Sequence, residues 1–125
     1  MVQDALAQVH TLSATQALAL LGQSGVLFVD IREAVELQRE GLLPGATVAP
    51  RGLLEFWVDP ASEWHRPVFS QPGVHLVLYC ALGWRSALAA KTLQDMGLPQ
   101  VCHLGGGLAA WKAAGGPVAA WPQKD

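Results

Sequence analysis

Residues 74–97 read VHLVLYCALGWRSALAAKTLQDMG, and the stretch changes character at Cys80. Before the cysteine the chain is apolar almost without interruption, the pattern of a strand buried on both faces. From Ser86 onward the apolar residues recur at helical spacing until Gly97 provides a stop. Cys80 to Arg85, six residues, belong to neither pattern. A buried strand, a tight loop and a helix in succession are the signature of a crossover unit in a parallel sheet.

The same alternation extends outward in both directions. GVLFVD, residues 25–30, is a second apolar run, closed by an acid, and QVCHL, residues 100–104, is a third. A brief strand is expected around Ala46 to Val48. Ser13 and Gln16 have the spacing of a capping box that opens a short helix, ATQALALLG, with Gly22 to close it. Residues 32–41 read as a short amphipathic helix, 51–58 as helical, and 105–116 as a short helix led by glycines. Residues 59–73 hold three prolines and are expected to form an irregular surface loop. The tail from Pro117 is expected to be loosely attached. Hairpin signals such as Asn-Gly are absent, as are repeats. These features predict an α/β fold, a small and mostly parallel sheet flanked by helices on both faces. Chemistry in such sheets sits beyond the carboxyl ends of the strands, where Asp30, Cys80 and Leu104–Gly105 fall.

Bulk properties agree. A chain of 125 residues, 51% hydrophobic and 14% charged, suits one compact domain with a core of its own. The net charge of −2 and the lack of a basic block argue against nucleic acid or an acidic membrane surface as partner. Two cysteines make no disulfide framework. No signal peptide and no apolar run long enough to span a membrane is evident, so a cytoplasmic protein is expected.

The loop after Cys80 explains why a thiol stands there. If ALGWR wraps the cysteine, its backbone N–H groups face inward and form a nest for an anion. The N-terminus of the following helix adds positive potential, Arg85 a permanent forked cation, and Gly83 a backbone angle that side chains resist. Each effect favours thiolate over thiol, so Cys80 is expected to be a nucleophile in an anion cradle formed by Ala81, Leu82, Gly83, Trp84, Arg85 and Ser86. The bland alternative is a small buried hydrophobe. That alternative wins at Cys102, which lies within a strand and has no loop, arginine or helix start after it.

Four further pieces occur in an order that resembles the single-domain rhodanese (thiosulfate sulfurtransferase) family. LFVDIRE (27–33) is similar to its motif at the end of the first core strand, and EGLLPGA (40–46) to its Gly-His-Ile-Pro-Gly-Ala segment. YCALGWRSALAA (79–90) resembles its active-site loop, and HLGGGLAAWKAAGGPV (103–118) its closing pattern. The match covers roughly residues 10–118 and implies one rhodanese-like domain over residues 1–125. The stretch 51–69 resembles a subgroup with a longer connection there. Leu42 departs from the family's histidine, and Leu82 stands where many members have a small polar residue. A loop of six residues resembles the sulfur-transferring members, whereas phosphatase and arsenate-reducing relatives usually have one more.

The resemblance implies ping-pong transfer of sulfane sulfur from thiosulfate or a similar anion, through a persulfide on Cys80, to cyanide or a thiol. Arg85 would orient the donor, and neither metal nor organic cofactor is required. The rival is a partner-fed persulfide carrier with little activity on free thiosulfate, for which the apolar Leu82 and Trp84 would suit a protein surface. Asp30 and Arg32 read first as a structural pair or cap and second as substrate ligands. Arg51 reads first as a solvated face and second as a substrate ligand. Trp84 suits a pocket wall and a core anchor equally. Trp57, Trp64 and His65 read as packing under a loop, with cover of the site as the alternative. Gly105 to Gly107 fit a tight strand-to-helix turn, and Ser86 a helix N-cap. His10, His75 and His103 lack metal-site spacing.

Overall fold

A computed structural model describes residues 1–98 and 100–121. The elements in chain order are α1 (Val2–Gln8), β1 (His10–Leu12), α2 (Ala14–Leu20), β2 (Val26–Asp30), α3 (Ala34–Glu40) and β3 (Thr47–Val48). They continue with α4 (Leu54–Val58), β4 (His75–Tyr79), α5 (Trp84–Asp95), β5 (Val101–Leu104) and α6 (Gly107–Ala113). The five strands form one sheet in the order β1-β5-β4-β2-β3, and every pairing is parallel. The expected α/β fold, a parallel sheet flanked by helices, is the fold observed.

The apolar strand runs are explained by burial on both faces. Along β4, Leu76 and Leu78 join Val29, Ile31, Leu54, Val58, Ala89, Ala90 and Leu93 on one side. Val77 and Tyr79 join Phe28, Ala17, Leu108 and Trp111 on the other. Successive side chains alternate between the two cores, so both parities favour apolar residues, and the Tyr79 hydroxyl is buried with a partner, the Leu43 N–H. Removing the buried Leu78 side chain to alanine would cost about 2–5 kcal/mol.

Strand order also selects one place for a site. β2 leads outward to β3, while β4 leads the opposite way to β5. The connections diverge between β2 and β4, and that divergence opens a crevice at their carboxyl ends. Asp30 pairs with Tyr79 in the register of these two strands, so Cys80 follows at the mouth of the crevice.

Several local expectations change in detail. The Ser13–Gln16 capping box forms, with each side chain bonded to the other's backbone N–H. The N-terminal helix α1 and the edge strand β1 were not anticipated. α1 is short and packs against α5, where Gln94 donates to the Gln8 carbonyl. β1 is held by its register with β5. Within 59–73 a single 3-10 turn, Pro67–Ser70, interrupts the irregular chain. The tail is not loose up to Ala119. Leu42 and Ala119 exchange both backbone hydrogen bonds, at 3.0 and 2.7 Å, and the Trp111 indole N–H donates to the Pro117 carbonyl. The last four residues of that tail lie outside the described residues. No helix among the described residues is long and apolar enough to cross a membrane.

Candidate active site

Cys80 is 1% exposed and stands one residue beyond β4. Its sulfur accepts the backbone N–H of Gly83 at 3.2 Å and of Ser86 at 3.3 Å. Helix α5 begins at Trp84, two residues before the expected start, with Gly83 as its cap in the left-handed region at φ 94°. Ser86 is therefore not the N-cap but the third residue of the helix. The sulfur of Cys80 takes the role of a capping side chain, receiving the N–H that a serine or aspartate oxygen would otherwise receive. The N–H groups of Ala81, Leu82, Trp84 and Arg85 find no acceptor among the described residues. Two loop N–H groups thus bond the sulfur, and four more are left without an acceptor, the donor surplus that an anion nest requires.

A second element fixes the loop from behind. The N–H groups of Leu108 and Ala109, at the start of α6, donate to the carbonyls of Cys80 and Ala81 at 2.9 and 3.2 Å. A Cβ on Gly107 would lie 2.5 Å from the Cys80 carbonyl oxygen and 2.6 Å from Ala81, at a φ of +61°. Residues 105–107 do make the expected strand-to-helix turn, and their closeness to the cysteine loop is a function that spacing alone did not reveal. The Cys80 and Ala81 carbonyls thus turn toward α6, while the Gly83 and Ser86 N–H groups turn toward the sulfur.

Cys80, Ala81, Leu82, Trp84 and Arg85 line a pocket of about 110 Å³. Leu82 and Trp84 are 56% and 64% exposed, so Trp84 is a pocket wall and not a core anchor. Trp57, Trp64 and His65 do not line this pocket. The Arg66 guanidinium lies 3.6 Å above the Trp57 ring, Trp64 meets Phe56 edge to face, and the His65 ring bonds the Trp57 carbonyl and Ser70. The long loop packs on itself.

Arg85 is half-buried, and both arms of its fork reach Glu36 of α3 at 2.8 Å. The hydrogen bonds from Arg85 hold the Glu36 carboxyl down at about 2, and the carboxylate in turn makes Arg85 a stronger base. Glu36 Oε1 also accepts the Glu33 N–H, so the acid that caps α3 aims the arginine at the pocket wall. Nothing in the spacing of the sequence pointed to Glu36, because its partner lies 49 residues away.

Asp30 and Arg32 are both fully buried. The guanidinium binds both carboxylate oxygens, with its closest approach at 2.8 Å, and also donates to the Gly41 carbonyl. Burial works against the Arg32 charge, but Asp30 outweighs it and holds the group protonated. The remaining Nη1 faces Glu40 at 3.8 Å. The pair is a structural brace between β2 and the end of α3, and it does not line the sulfur pocket. Arg51 bonds Glu55, one helical turn on, and is also absent from the pocket lining. Leu42, the departure from the family's histidine, is buried against the tail. No group of three His, Cys, Asp or Glu side chains among the described residues is placed to hold a metal ion.

Comparison with known proteins agrees with this architecture. The chain is 35% identical over 101 residues to an uncharacterized protein of Synechocystis, spanning about half (48%) of that protein's length and 77% of its own. It is 34% identical over 95 residues to a protein of Allochromatium vinosum named sulfurtransferase, covering 76% of the chain and 79% of the relative. Among solved structures, a Rhodopseudomonas palustris protein called a possible tyrosine phosphatase superposes with a TM-score of 0.90 at 48% identity, over 94% of this chain and 90% of that one. A thiosulfate sulfurtransferase from Pseudomonas aeruginosa shares the fold at a TM-score of 0.69 and 24% identity, over 90% of this chain and 20% of that one. The Rhodanese-like domain family model matches residues 13–114, a span that contains the sheet from β2 to β5, the cysteine loop and the helix that backs it, and the chain belongs to that family.

Proposed function

We propose that the protein is a sulfurtransferase that carries sulfane sulfur as a persulfide on Cys80. The observation that carries this reading is the sulfur of Cys80 itself, which receives two backbone N–H groups at 3.2 and 3.3 Å and borders a small pocket. Such donors favour an anionic sulfur and are fixed before any substrate arrives. The Cys80 thiolate attacks the outer sulfur of thiosulfate or a similar donor. A new S–S bond forms at Cys80 as the donor's own S–S bond breaks, and its electron pair departs on sulfite. The unpaired N–H groups of Ala81, Leu82, Trp84 and Arg85 hold the terminal sulfur of the persulfide. Cyanide or a thiol then takes that sulfur, and the electron pair of the broken bond returns to Cys80 as thiolate.

Arg85 orients the anionic donor and offsets charge on the departing sulfite. Its fork is shared with Glu36, so the donor meets a guanidinium already held in one direction. Mass spectrometry tests the proposal. After treatment with thiosulfate, Cys80 is expected to gain one sulfur atom, which cyanide discharges as thiocyanate. No gain from thiosulfate, together with sulfur accepted from a persulfidated protein, would instead identify a partner-fed carrier. The exposed Leu82 and Trp84 at the pocket are what favours that second reading. Cys80-dependent turnover of a chromogenic phosphate ester would overturn both. A six-residue loop closes tightly around one sulfur and leaves little room for in-line attack on phosphorus.

A further inference from the structure

His103 is fully buried on β5, and the sulfur-transfer steps above make no use of it. Its two ring nitrogens nevertheless sit in a continuous chain. Nδ1 lies 3.0 Å from the Ser86 hydroxyl, which is 3.6 Å from the Cys80 sulfur. Nε2 lies 2.9 Å from the hydroxyl of Thr11, an exposed residue of the edge strand. The register of the sheet builds this chain, because Thr11 pairs directly with His103. Burial lowers the proton affinity of the ring, which favours the neutral imidazole.

A neutral imidazole has one donor and one acceptor, so the chain has two directions. In the first, Nε2–H donates to Thr11 and Nδ1 accepts the Ser86 hydroxyl hydrogen. Ser86 can then only accept from a Cys80 thiol. In the second, Thr11 donates to Nε2, and Nδ1–H donates to the Ser86 oxygen. The Ser86 hydrogen is then free for the sulfur or for the Gly83 carbonyl at 3.3 Å, and an anionic sulfur is the stronger acceptor.

Resting on the reading of Cys80 as a nucleophile, we infer that His103 is a positioning residue that turns the Ser86 hydroxyl onto the Cys80 thiolate, with the Thr11 hydroxyl, able to donate or accept, serving either tautomer at the far end. Reversal of the chain also balances the ionisation. The thiol proton passes to the Ser86 oxygen and the Ser86 proton to Nδ1. The Nε2 proton passes to the Thr11 oxygen and the Thr11 proton to water. One proton leaves the buried sulfur, and His103 is neutral before and after. The charged groups around this chain are Arg85 on α5, which interacts with Cys80, its partner Glu36 on α3, and Asp30 at the end of β2, which acts on Arg85. All three are unchanged in the variants below.

The test is the rate of Cys80 carboxamidomethylation by iodoacetamide, read by peptide mass, with circular dichroism to confirm folding. His103→Leu is expected to slow labelling at neutral pH by about threefold to tenfold, the weight of one net hydrogen bond. The deficit should close in strongly alkaline solution. His103→Asn, whose amide places an N–H near the Nδ1 position, should recover most of the rate. Equal labelling of wild type and His103→Leu at neutral pH overturns the inference, as does a His103→Asn rate no better than that of the leucine variant. If the leucine variant does not fold, the imidazole ¹⁵N spectrum of the wild type decides. At a pH where Cys80 labels rapidly, the Nδ1-protonated tautomer is expected, and the Nε2-protonated form refutes it. Neither readout needs a sulfur donor. A protein that labels as expected yet gains no sulfur from any donor would refute sulfur transfer and leave the role of His103 standing.

Discussion

Cys80 directly follows β4, Cys102 lies within the neighbouring parallel strand β5, and the two differ in almost everything else. Cys102 pairs within the ladder with Val77 and His10. Its backbone groups belong to the sheet, and among the described residues its sulfur finds one hydrogen-bond partner, the Leu76 carbonyl oxygen, at 3.7 Å. Burial pushes its thiol up to about 11. Cys80 is the more buried of the two, yet it lies one residue past the ladder, where the chain turns and N–H groups lose their strand partners. Under the proposed function, therefore, burial does not separate the reactive cysteine from the inert one. The sign of the dipoles around each sulfur does, donors at Cys80 and an acceptor at Cys102.

The largest effect expected from breaking this contrast is at the sulfur itself. Cys80→Ser should gain no sulfur from thiosulfate, whereas Cys102→Ser should load and discharge as wild type does. Loading of the Cys80→Ser protein, followed by mass, would remove the contrast altogether. Next is Gly107→Ala, which places a methyl group against the Cys80 carbonyl and shifts the loop while leaving the cysteine in place. A displacement of this kind is expected to slow sulfur transfer on the order of 100-fold. A wild-type rate in steady-state assays would show that α6 does not position the loop.

Glu36→Gln sharpens the comparison at smaller scale by loosening Arg85. Steady-state kinetics should show a change of a few-fold in KM for an anionic donor, the size expected for a partly exposed charged contact. The same variant reports on acid stability. The folded carboxyl titrates near 2, below its ordinary value of 4.5. Its contribution to stability is therefore fully present above 4.5 and is lost as the pH falls from there toward 2. Denaturation midpoints of Glu36→Gln should lack that part of the acid decline. The smallest effect is at Cys102 in the native protein. Its alkylation should be slow at neutral pH and rise only as the pH approaches 11, well after Cys80 has reacted. Simultaneous labelling of both thiols at neutral pH would contradict the dipole argument.

Much of the site was legible because it is local. Cys80, Gly83 and the start of α5 lie in one short segment, and the conformational need for glycine at φ 94° follows from the tightness of that turn. The error at Ser86 was local as well. Sequence rules assign helix caps to oxygen-bearing side chains, and here a sulfur six residues earlier receives the N–H. The partners of the site were not legible. Glu36, Gly107, His103 and Thr11 reach it across sheet register and helix packing, and each alone carries an ordinary structural reading. Asp30 and Arg32 could be read as a pair because they stand two positions apart at one strand end. That Arg32 also reaches the Gly41 carbonyl could not.

By itself the amino-acid sequence determined the alternation of buried strands and amphipathic helices, hence a parallel sheet, and it determined the cysteine loop at a strand end. Those features depend on side-chain periodicity and on backbone angles within a few residues. Only the tertiary structure decided what surrounds the sulfur: which N–H groups aim at it, which carboxylate holds Arg85, and which histidine stands behind Ser86. Hydrogen bonds and dipoles act over a few ångströms of space, and residues that distance apart here are separated by as many as 92 positions along the chain.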